Sequence, residues 1–72
     1  MMLIAEAILK PRRHTLVIKW DNNIKQNIPL NYLQKKANNY YKISGFKIID
    51  LVKIKIFFAN GYELIIEPIQ LI

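Results

Sequence analysis

Few side chains in this sequence are suited to covalent or proton-transfer chemistry. The one histidine is His14, the one serine is Ser44, and the aspartates are Asp21 and Asp50. Nucleophilic catalysis needs a hydroxyl or thiol beside a base that a third group orients. His14 falls in a connection, Ser44 in an expected turn and both aspartates at strand ends, so their spacing gathers no triad. Glu63 and Glu67 lie on an outward-facing strand stripe opposite lysines, which reads as a solvated face and not as an acid–base pair. With no cysteine there is neither a disulfide nor a thiolate metal site, and one histidine leaves zinc dependent on unclustered carboxylates. Gly45 and Gly61 are the only glycines, too few for a phosphate-cradling loop. The expectation is a non-enzymatic protein without a cofactor.

The elements that must position any working surface are few. Seventy-two residues make at most one domain. A chain this short buries only about 60% of the surface its unfolded form exposes, so oligomerisation or docking on a partner is the expected reinforcement. The opening Met1–Leu9 is apolar but lacks a basic leader and contains Glu6, unlike a signal peptide. No apolar run approaches the ~18 residues needed to span a bilayer. A cytoplasmic protein that does not enter the membrane is therefore expected, in keeping with the absence of cysteine.

The net charge is +6. Fourteen isoleucines against two valines and nine lysines against two arginines are the mark of AT-rich codons, so part of the lysine excess reflects composition. Its distribution says more: residues 1–47 carry a balance of +7 and residues 48–72 a balance of −1. A field concentrated in the first two-thirds can steer an acidic partner.

Side-chain alternation predicts an α+β fold with a mainly antiparallel sheet of five or six strands, built from two hairpins with one short helix. The first nine residues read as a strand that Pro11 ends. In Thr15–Trp20, Leu16, Ile18 and Trp20 share one face. A three-residue loop, Asp21-Asn22-Asn23, then sets Trp20 opposite Ile24, Ile18 opposite Gln26 and Leu16 opposite Ile28. Pro29 begins a helix to about residue 37, with Leu30, Leu33 and Ala37 at helical spacing and Asn38-Asn39 as the stop.

Tyr40–Ile43 reads as extended, Ser44-Gly45 as a turn and Phe46–Ile49 as a strand. Val52–Phe58 then alternates cleanly, with Val52, Ile54, Ile56 and Phe58 inward and Lys53, Lys55 and Phe57 outward. Ala59-Asn60-Gly61 closes a second three-residue loop, pairing Ile56 with Leu64, Ile54 with Ile66, Phe57 with Glu63 and Lys53 with Glu67. Leu16–Ile24 and Ile54–Tyr62 superpose at an offset of 38, which suggests an internal repeat; two similar hairpins would look the same.

Three surfaces are candidates for function. Lys10-Pro11-Arg12-Arg13-His14 holds both arginines, which suit phosphate or carboxylate groups. The stripe of Lys53, Lys55 and Phe57, with Lys47 near it, sets an aromatic among lysines as a small stacking platform. Arg12, Arg13, Lys53, Lys55 and Phe57 together form the candidate nucleic-acid surface. The termini supply the third, a candidate protein or homo-oligomer interface of Met2, Leu3, Ile4, Ile69, Leu71 and Ile72, apolar where small domains usually end in polar tails. The alternative is that the termini pair with each other within one sheet.

Thr15–Asn23 followed by Ile28-Pro29-Leu30-Asn31-Tyr32-Leu33, with the later turn Phe58–Gly61 and the segment Glu63 to Leu71, resembles a family of small bacterial proteins of unknown function often encoded beside toxin-like genes. Asn23 stands where that pattern normally has a turn glycine. The resemblance implies that this chain is the antitoxin-like partner in a toxin–antitoxin pair, although its basic balance differs from the usual acidic antitoxin. The same residues are similar, more weakly, to the domain that precedes gamma-butyrobetaine hydroxylase-like oxygenases, which implies a regulatory accessory role. Its cysteine-rich stretch is absent here around Lys35 to Tyr41, so no metal role carries over.

Overall fold

A computed structural model describes residues 2–71. The strands are β1 (Ile4–Lys10), β2 (Thr15–Trp20), β3 (Lys25–Pro29), β4 (Ile43–Asp50), β5 (Lys53–Phe58) and β6 (Glu63–Ile66). One helix, α1 (Leu30–Ala37), joins β3 to β4, and single 3-10 turns form at Pro11–Arg13 and Pro68–Leu71. The α+β class, antiparallel pairing and single α-helix agree with expectation. The single sheet does not: the strands form two sheets of three, ordered β1-β2-β3 and β4-β5-β6. Each sheet is amphipathic, and turning both apolar faces onto one core buries what a flat six-stranded sheet would leave wet.

The buried cluster takes Ile4, Leu16, Ile18, Trp20 and Ile28 from the first sheet and Ile43, Ile54, Ile56, Phe58 and Ile66 from the second. Leu33 brings α1 onto it. Most of the expected registers hold: Leu16 pairs with Ile28, Ile18 with Gln26, Ile54 with Ile66, Ile56 with Leu64 and Phe57 with Glu63, whereas β6 ends at Ile66, before the expected pairing of Lys53 with Glu67. Gln26, the one polar side chain among these inward pairings, is used there. Its Oε1 accepts from the Trp20 indole N–H at 3.0 Å and its Nε2 donates to the Pro68 carbonyl at 2.7 Å, tying the first sheet to the turn after β6.

Ser44-Gly45 is not a turn. β4 runs straight through it, with a bulge between Ile43 and Gly45, and the reversal comes at Leu51-Val52. The Asp50 carboxylate holds that reversal by accepting the Val52 N–H at 2.8 Å. An Asx turn supplied a breaker that did not need the glycine. α1 begins one residue after Pro29 and ends at Asn38, whose left-handed φ of 48° lets its N–H return to the last-turn carbonyls.

The two halves repeat each other. β2 and β5 are related by the offset of 38 and bury alternate residues identically. Both loops have three residues, ending in a positive φ at Asn23 (67°) and Gly61 (89°). The closing bonds match: Trp20 N–H to Ile24 O and Phe58 N–H to Tyr62 O are each 2.9 Å. The Asp21 N–H donates to Leu3 O at 2.8 Å and the Ala59 N–H to Lys42 O at 2.7 Å, and the bulge at Ile4/Glu6 is repeated at Ile43/Gly45.

Candidate functional site

The residues with reactive groups serve local structure. The Ser44 hydroxyl donates to Phe57 O at 3.3 Å, and the Asp21 carboxylate accepts the Leu3 N–H at 3.2 Å. His14 ends the first 3-10 turn with a φ of 50° and lines a groove to which neither Ser44 nor an aspartate contributes. Glu63 pairs with Lys55 at 3.3 Å. Among the described residues no three of His, Cys, Asp and Glu gather as metal ligands, and no helix is long and apolar enough to cross a membrane.

The five residues of the candidate nucleic-acid surface are not brought together. Arg12 and Arg13 sit beyond Lys10, at one end of β1. The opposite end, Ile4, donates its N–H to Leu51 O, two residues before Lys53. Seven strand residues put about 20 Å between those ends. On the outer face of the second sheet, Lys55 is neutralised by Glu63, and Phe57 is half-buried opposite the same glutamate. That stripe is a mixed-charge surface.

The termini also differ from expectation. Ile4 belongs to the core, and Met2 and Leu71 pack against it half-buried. Leu3 is half-buried and is bound through its backbone to Asp21. Ile69 alone of the described set is exposed, and Ile72 lies outside the described residues. Met2, Ile4 and Leu71 serve the chain's own core, because so small a chain has little else to bury.

The structure assembles a different surface. On the outer face of the first sheet, Ile8 pairs with Val17 and Val17 with Asn27, forming a central row. Glu6, Lys19 and Lys25 form the next row on one side, and Lys10 and Thr15, with Arg13 beside them, lie on the other. Ile8, on the edge strand β1, is 44% exposed. Glu6 is the one carboxylate in this face. The outward alternation of β2 was a signal for it, but the register of β1 across the Pro11–His14 connection could not be read from pattern alone.

Beside this face, an open groove of about 570 Å³ runs between the first 3-10 turn, the first turns of α1 and the start of β4. Arg13, His14 and Lys42 line it together with the apolar Leu30 and Ile43, and no carboxylate does. Its walls are joined: the Leu30 N–H donates to His14 O at 2.8 Å, and Gln34 Nε2 donates to Tyr41 O at 3.0 Å. No protein-family model matches this chain, nor does any curated protein or solved structure.

Proposed function

We propose that this chain is a non-enzymatic binding module, that it works through the outer face of its first sheet, and that its partner is a protein with a complementary acidic surface. One observation carries the reading: exposed Ile8 and half-buried Val17 form an apolar row flanked along the strands by Lys19 and Lys25 on one side and Lys10 and Arg13 on the other, with Glu6 the single opposing charge. An apolar centre inside a polar rim is the anatomy of a protein interface, and the cations set register and association rate. The antitoxin-like role implied by the resemblance is one case of this reading, with a toxic protein as the partner.

The second reading is nucleic-acid binding, favoured by the same cations. The face offers no aromatic side chain for base stacking, and a phosphate backbone has no use for Ile8. The test is retention from nuclease-treated lysate of the native cell on immobilised protein. One protein is expected to bind, to be lost with Lys10→Glu/Lys19→Glu/Lys25→Glu and with Ile8→Asp, and to be kept with Lys53→Glu/Lys55→Glu. Equal retention by the face variants sinks the proposal. Binding that disappears on nuclease treatment moves the function to nucleic acid.

A further inference from the structure

The two halves differ at one corner, and the difference opens the groove. Counting back from β2 and β5, Arg13 and His14 occupy the places of Leu51 and Val52. By the matched backbone bonds, Lys42 occupies the place of Leu3. In the second half the corner is shut, because the Ile4 N–H donates to Leu51 O at 2.7 Å. The equivalent bond, from Ile43 to Arg13, is not formed among the described residues; Arg13 O accepts from the Thr15 hydroxyl at 2.8 Å instead. The connection there is also longer, Pro11 to His14 against Leu51-Val52. The shut corner therefore carries three apolar side chains, and the open one carries an arginine, a histidine and a lysine.

We infer that this groove binds a small organic molecule bearing a phosphate group, with the phosphate at Arg13, His14 and Lys42 and the apolar body against Leu30 and Ile43. The volume falls in the range of roughly 300–1,000 Å³ usual for small-molecule sites. Arginine offers a planar fork and lysine a point charge, a combination suited to a tetrahedral anion with several acceptor oxygens. A carboxylate has only two oxygens to offer the same donors. The groove walls come from three elements already hydrogen-bonded together, so little ordering is required on binding. This site does not depend on the protein-binding face, and only Arg13 and Thr15 border both.

The test is an amide-detected NMR titration of the whole chain with phenyl phosphate, inorganic phosphate and benzoate at fixed ionic strength. Phenyl phosphate is expected to shift Arg13, His14, Leu30 and Lys42 saturably and to bind about tenfold tighter than benzoate, the ratio expected of one lost charge-assisted contact. Lys42→Ala is expected to weaken it by a similar factor with the spectrum otherwise unchanged, and Lys53→Ala to leave it alone. Inorganic phosphate is expected to shift Arg13, His14 and Lys42 but not Leu30. Non-saturating shifts, equal binding of benzoate, or full affinity in Lys42→Ala would overturn the inference. Shifts confined to the outer face of the first sheet would do the same.

Discussion

Gln26→Leu tests whether the polar residue on the inner face is a tie or a defect. The substitution leaves two groups without partners: the indole N–H of fully buried Trp20 and the carbonyl of fully buried Pro68. An orphaned buried donor or acceptor costs about 1–3 kcal/mol, so two cost roughly 2–6. Leucine recovers about 1–2 kcal/mol through apolar contact at a half-buried position, and a net loss of about 2 kcal/mol is expected. For a domain this small that loss lowers Tm by roughly 8–16 °C. Urea unfolding followed by Trp20 emission reads the change directly, since Trp20 is the only tryptophan. In a Trp20→Phe background, followed by circular dichroism, the same substitution should cost about 1 kcal/mol less, because one orphan is already gone. If Gln26→Leu proves as stable as the parent chain, the two hydrogen bonds do not hold the halves together and the reasoning is refuted.

Three further outcomes are expected. Leu33→Ala removes the one fully buried side chain of α1 and should cost about 2–5 kcal/mol in urea unfolding; a loss under about 1 would mean that α1 is not anchored there. The matched loops should respond oppositely: Gly61→Ala puts a Cβ at a φ of 89° and should cost about 1–2 kcal/mol, whereas Asn23→Gly, at 67°, should stay within about 0.5 of the parent. Lys55→Ala breaks a partly exposed ion pair, so thermal melts should move by less than about 0.5 kcal/mol, with the difference fading in high salt.

Local pattern was enough for the pieces that depend on near neighbours. Period-two alternation and Asp-Asn or Asn-Gly loops set the registers of β2 with β3 and β5 with β6, because a slip of one residue would expose Leu16, Ile18 and Trp20, or Ile54, Ile56 and Phe58. The same local logic placed α1 and its Asn38 stop, and the offset of 38 between the halves. It misread Ser44-Gly45, since a bulge and a turn use the same residues and differ only in what pairs across from them.

The division into two sheets, the sinking of Ile4 into the core and the placing of Arg12 and Arg13 at the end of β1 away from Leu51 and Lys53 were decided only by the tertiary fold. Each depends on which faces close on each other across long sequence separations, and alternation carries no information about that. Charge shows the same limit. The +7 of residues 1–47 was legible, but whether those cations cluster or are neutralised depended on the register of β1 and on the bond that shuts one corner while its counterpart stays open.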